Sequence, residues 1–385
     1  MRSFSFELIR TDGAARLGRL TTRHGVVETP AFMPVGTKGA VKGLTPEDLR
    51  AVGAQIILAN TYHLFLRPGH QLIAELGGLH RFMAWDGPIL TDSGGFQVYS
   101  LASMRKVTEE GVRFRSHLDG SEHLLTPELA IEVQQALGSD IIHPLDECLA
   151  LPATREETER SLALTLRWAS RSKTAHARGP GSQALFGIVQ GGGYEDLRRR
   201  AVEEICALGF DGYAIGGLAT GEPKPLMLDL VKLTANLLPS NQPRYLMGMG
   251  TPVDLVEAVA RGVDLFDCVL PTRNARNGQL FTDDGVLTIK QSRYAKDPAP
   301  PQEDCACSTC RRFSRAYLRH CFMAGEMLAA RLLTVHNLHF YLGLMARMRE
   351  AIRSEGVEQF SVAFRGRYEV LSHGDLLTNA EGMEA

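Results

Sequence analysis

From about residue 30 onward, short apolar runs alternate with longer segments of helical spacing. The runs occupy 31–36, 55–60, 88–94, 140–146, 184–192, 212–219, 244–250 and 264–271, and each reads as a buried strand. Between them, apolar positions in 194–209 and 252–262 recur at helical spacing, and a glycine follows each helix. Eight strands with helical crossovers predict an α/β protein of the (β/α)8 TIM-barrel type. A doubly wound open sheet is the competing arrangement. Two stretches interrupt the alternation: 106–138 puts a hairpin-like β pattern before a helix at 127–137, and 278–313 leads from a hairpin through prolines into cysteines. A helical segment at 325–354 precedes a polar tail.

In the parallel barrel the strand ends converge on one mouth. Asn60, Asp92, Asp146, Gln190, Gly216–Gly217, Met247–Gly248 and Asp267 each fall at or near the end of a different predicted strand. A single strand-end Asp serves equally well as a helix cap or an ion-pair partner. Three of them with a Gln at one rim suit paired-carboxylate chemistry, in which one group attacks an electron-poor carbon and the other moves a proton. Asp beside Gln and glycine N–H groups also suits the donor and acceptor edge of a purine. Phe96 is placed to stack on a flat ring, or simply to fill core. The glycines at 191–193 lack a phosphate-loop ending and predict a tight turn. In "LFDCVLPTRNARNG" (265–278) the pattern leaves no room for a helix; Pro271 is expected to help end the strand, and strand alternation turns Cys268 away from the mouth.

Composition narrows the class. The chain has 385 residues, 44% hydrophobic and 22% charged, with a formal net charge of -2, so contact with a polyanion must come from a local patch. The N-terminus lacks the apolar core of a signal peptide and no apolar run is long enough for a bilayer, which predicts a cytoplasmic protein without membrane partners. Seven cysteines include Cys305, Cys307 and Cys310 in C-x-C-x2-C spacing. With one imidazole from the helical segment beyond, they make a closed structural zinc site. His336, His339, His320 and Cys321 all compete for the fourth position, and spacing does not choose. Around the cluster, Arg273, Arg276, Lys290, Arg293, Lys296, Arg311, Arg312, Arg315 and Arg319 outnumber Asp283, Asp284, Asp297, Glu303 and Asp304. A cationic insertion beside the mouth suits a polyanionic substrate.

"TDSGGFQV" (91–98), "DEC" (146–148), "GIVQGG" (187–192), "GGLATGE" (216–222), "YLMGMG" (245–250), "DCVLPTRNARNG" (267–278) and "CACSTC" (305–310) follow in that order. Together they closely resemble the bacterial queuine tRNA-ribosyltransferases, or tRNA-guanine transglycosylases, over residues 5–355. The resemblance implies a barrel in 1–277 and 325–355, a zinc-binding, RNA-contacting insertion in 278–324, and a C-terminal tail in 356–385. It implies a homodimer that exchanges the guanine at the tRNA wobble position for 7-aminomethyl-7-deazaguanine through a covalent ribosyl-enzyme. Asp267 matches the family's nucleophile and Asp92 its general acid/base. Asp146, Gln190, the Gly217 N–H and the Leu218 carbonyl match its base-reading groups, with Phe96 and Met247 on either side of the base. Cys305, Cys307, Cys310 and His336 match its zinc ligands, and Arg273 and Arg276 become candidate RNA contacts. Thr220 stands where Val is common in bacterial members, and its size predicts exclusion of the larger queuine base. The rival readings are a hydrolytic nucleoside or RNA glycosidase and a non-catalytic, zinc-stabilised tRNA-binding subunit.

Overall fold

The computed structural model describes residues 4–101, 104–149, 152–179, 182–219 and 221–376. All eight predicted barrel strands are present: β1 (Ala31–Pro34), β2 (Ile57–Ala59), β3 (Ile89–Thr91), β4 (Ile141–Ile142), β5 (Ala184–Val189), β6 (Gly212–Ile215), β7 (Arg244–Leu246) and β8 (Leu265–Cys268). Neighbours pair in parallel in chain order, and β8 returns to β1 with Asp267 opposite Met33. A Val35–Leu58 bridge closes β1 onto β2, so the open-sheet alternative is ruled out.

Period-two alternation divides the core into two layers. Met33, Leu58, Leu90, Phe186, Ile188, Ala214, Tyr245 and Leu265 pack inside the barrel. Phe32, Ile57, Ile89, Leu185, Ile215, Leu246, Phe266 and Cys268 pack outward with residues of the surrounding helices. Every residue of β5 is buried, which explains its continuous apolar run. Helices Pro127–Leu137, Glu195–Ala207 and Pro252–Ala260 form where periodicity predicts them.

Residues ahead of β1, where the hydrophobic pattern predicts no element, form an antiparallel sheet of Ser5–Asp12, Ala15–Thr22 and Gly25–Thr29. Its Leu20 and Val27 join the inner layer and plug the barrel at the strand starts. The buried pair Arg16–Asp264, 3.1 Å apart, fastens the sheet there.

The two interruptions carry the predicted β structure. Arg105–Val107, Val112–Arg115 and Glu122–Leu125 make one antiparallel sheet, and Gln279–Thr282 pairs with Gly285–Thr288. Pro271 does not help end a strand. β8 stops at Cys268, and Pro271 lies in the first turn of helix Leu270–Arg276. A proline there costs nothing, because the first turn has no partner for an N–H. The long helix Met327–Arg353 packs against β1 and the Gln279–Thr288 hairpin. Within the segment expected as a polar tail, Val357–Leu376 is helical and packs on helix Pro252–Ala260. No helix among the described residues is long and apolar enough to cross a membrane.

Candidate active site and metal cluster

A cavity of about 480 Å³ opens where the barrel strands end. Asp92, Phe96, Asp146, Gln190, Gly217, Leu218, Met247, Asp267 and Arg273 all line it. Arg276, one turn beyond Arg273, does not; its guanidinium donates to the Thr272 carbonyl at 2.8 Å. Thr220 lies outside the described residues.

Asp267, the penultimate residue of β8, faces inward. Its Oδ1 accepts from the Tyr245 hydroxyl at 2.6 Å and from the Gly248 N–H at 2.7 Å. Among the described residues no hydrogen bond reaches Oδ2. Burial raises the Asp267 pKa above the usual carboxylate value, and the two donors oppose that rise.

Asp92 is differently held. Its Oδ1 accepts from Thr61 N–H at 2.8 Å and its Oδ2 from the Asn60 amide at 2.5 Å. Burial, aided by the charge of Asp267, pushes its pKa up to about 6 against those hydrogen bonds. A buried carboxyl that titrates near neutrality can both give and take a proton.

The third carboxylate, Asp146, is fixed by two side-chain donors. Gln190 donates to Asp146 Oδ2 at 2.7 Å, and Ser93 donates to Oδ1 at 2.8 Å. Gly217 sits beside Gln190 at φ +63°, where a Cβ would come within 2.2 Å of Gln190 Oε1. Only glycine lets the backbone pass so near the amide. Phe96 is half exposed, on the helix after β3, and Met247 follows β7.

Sequence reasoning missed two supports. Tyr245 faces inward on β7, and strand parity with Met247 was the signal available. Arg198 is fully buried beneath the glycine turns. Its Nε donates to the Gly192 carbonyl at 2.8 Å and its Nη2 to Gly216 at 3.1 Å and Gly217 at 3.3 Å. Gly191, at φ +128°, brings the turn so close that a Cβ would meet the Arg198 N at 2.8 Å. In "EDLRRRAVEEICA", Arg198 shares its buried helix face with Ala201, Val202 and Ile205, so periodicity could have separated it from its neighbouring arginines. Cys268 packs in the outer layer with Sγ 3.5 Å from the Gly250 carbonyl, although it also borders the cavity.

Away from the mouth, Cys305, Cys307, Cys310 and His336 converge. The His336 Nδ1 lies 3.8, 3.7 and 3.2 Å from the three sulfurs. Sulfur and nitrogen ligands on one tetrahedral metal would stand about 3.5 Å apart, so the set fits zinc. His336 Nε2 lies 2.8 Å from the Phe281 carbonyl, and an N–H donated there turns Nδ1 toward the thiolates. His339 approaches Cys305 alone, at 3.7 Å. Around the cluster, Arg315 is paired with Asp297, and Arg319 donates to the carbonyls of Lys290 and Gln291. Arg311, Arg312 and Lys296 are exposed.

The family model of queuine tRNA-ribosyltransferase matches residues 12–370. A queuine tRNA-ribosyltransferase of Thermoanaerobacter sp. (strain X514) is 57% identical over 370 residues, spanning 96% of this chain and 98% of its own length. One from Nitrosomonas europaea is 59% identical over 362 residues, spanning 94% and 97%. By its barrel, its motifs and these matches, the chain belongs to the queuine tRNA-ribosyltransferase family.

Proposed function

We propose that the chain is a tRNA-guanine transglycosylase, replacing the wobble guanine of tRNA by 7-aminomethyl-7-deazaguanine. The observation that carries this reading is the unequal use of two carboxylates in one cavity. Both donors to Asp267 end on Oδ1, whereas each oxygen of Asp92 has its own donor. Lone pairs on Asp267 Oδ2 are therefore available to attack, and Asp92 is fixed for proton transfer. That distribution supports Asp267 as nucleophile over the reverse assignment.

Asp267 Oδ2 bonds to the ribose anomeric carbon as the bond to guanine N9 breaks, and guanine departs with a proton supplied at the Asp92 carboxyl. The deazaguanine then enters the same pocket, gives its N9 proton to Asp92 and attacks the anomeric carbon, releasing Asp267. Two displacements retain configuration and give ping-pong kinetics. Asp146 accepts from the base's N–H groups while Gln190 and the Gly217 N–H face its carbonyl oxygen. Phe96 and Met247 hold the ring plane, and the Leu218 carbonyl meets the aminomethyl group. Extracting the base costs least from an unpaired anticodon loop. Arg273 at the rim and Arg276 beyond it are the proposed phosphate contacts.

Zinc on Cys305, Cys307, Cys310 and His336 would be structural, fastening the 278–324 unit to the long helix and taking no part in the chemistry. The reading includes a homodimer and a cytoplasmic location. Incubation with tRNA labelled in the wobble guanine tests the proposal. Label release with incorporation of the added base is expected; absence of release would overturn it, and release leaving an abasic ribose would favour the hydrolytic reading.

A further inference from the structure

At the plugged end of the barrel, opposite the mouth, three residues from separate elements converge. His24 lies in the turn between Ala15–Thr22 and Gly25–Thr29, His80 on helix Gly78–Met83, and Asp140 just before β4. Asp140 is buried, 4% exposed, and gives one carboxylate oxygen to each imidazole. His24 Nδ1 lies 2.7 Å from Oδ1, and His80 Nε2 lies 3.1 Å from Oδ2. The rings stack face to face with centroids 3.6 Å apart, closer than ordinary aromatic pairs. All three ligand atoms fall within 4.8 Å of one another.

We propose that this cluster is a second metal site, holding a divalent transition ion of the zinc or cobalt class. Two imidazoles and a carboxylate are the donor set such ions take, and the span of the three atoms admits one ion after small side-chain rotations. The carboxylate is already oriented from behind, because Ile89 N–H donates to Asp140 Oδ2 at 2.9 Å. Both histidines keep partial exposure, which gives the ion a path in and leaves room for water on its remaining positions. Asp92 and Asp267 are at the other end of the barrel, so the ion takes no part in the transfer. It ties the N-terminal sheet, helix Gly78–Met83 and β4 together.

The test titrates the full-length chain, its Cys3His cluster filled with zinc, with Co2+ in the absence of tRNA. Expected are a further bound equivalent with weak d–d absorption and no sulfur-to-cobalt charge-transfer band, and a raised Tm. His24→Arg keeps a cation beside Asp140 while removing a ligand, so it should fold and lose both effects; His80→Ala should lose them too. Saturation at the cysteine cluster alone, or a further equivalent retained in both variants, would overturn the proposal and leave the histidines as hydrogen-bond partners of Asp140.

Discussion

Tyr245 and Asp267 sit on adjacent barrel strands, and the tyrosine hydroxyl donates to Asp267 Oδ1 at 2.6 Å. Hydrogen bonds to a charged group contribute about 1.5–3 kcal/mol. Tyr245→Phe should therefore slow formation of the ribosyl-enzyme roughly tenfold to a hundredfold, with free-base affinity unchanged. Single-turnover trapping on denaturing gels measures it; an unaltered rate would mean the hydroxyl contributes nothing to placing the carboxylate.

Asp267→Asn should abolish the trapped RNA adduct, and Asp92→Asn should slow both half-reactions. An adduct that persists in Asp267→Asn and vanishes in Asp92→Asn would exchange the two roles.

The pH dependence follows from Asp92, whose pKa is pushed up to about 6 by burial. Its ionised form, to which the proposed mechanism assigns the proton of the incoming base, disappears below that pH. Base incorporation into a preformed adduct should fall on the acid side of about pH 6, and adduct formation from guanine-bearing tRNA should fall on the alkaline side. The stability effect has its own sign. A carboxyl whose folded pKa is raised stabilises the fold at low pH, and loses that contribution as pH rises from 3.8 through about 6. Thermal melts of Asp92→Asn should accordingly equal or exceed wild type above that range.

Arg198→Met removes three hydrogen bonds to the Gly192, Gly216 and Gly217 carbonyls. A loss of about 1–3 kcal/mol in stability is expected, together with a higher KM for the base because Gly217 is no longer held. Steady-state kinetics beside chemical denaturation separate the effects. A variant that melts early yet binds base normally would confine Arg198 to folding.

Arg273→Ala should weaken tRNA binding and flatten its salt dependence, and Arg276→Ala should do so less, since only Arg273 reaches the cavity. Equal loss of free-base affinity would contradict a phosphate role. Filter binding across a salt series distinguishes them.

The barrel was legible because each strand is buried on both faces and punctuated by helices of clear period. The mouth was legible because polar residues interrupt those strands at one end. What escaped detection depends on contacts between distant segments. The sheet before β1 is mixed in polarity, with Ser5–Asp12 largely exposed, so its strands lacked the continuous apolar run that marked the others. Arg198 hides among arginines of which only it turns inward, and helix Leu270–Arg276 follows its strand too closely for periodicity to register. His24, His80 and Asp140 are dispersed along the chain and meet only when the barrel closes.

Packing of helix Met327–Arg353 against β1, with Arg349 donating to the Pro30 carbonyl at 2.8 Å, has a consequence for synthesis. A ribosome delivers β1 long before the helix that covers it. During translation, the apolar outer face of Phe32 waits for Tyr341, whose ring lies 5.0 Å away in the finished protein. Nascent chains stalled before residue 327 should thus present a sticky, unsealed flank to chaperones, and closure waits for the helix to emerge.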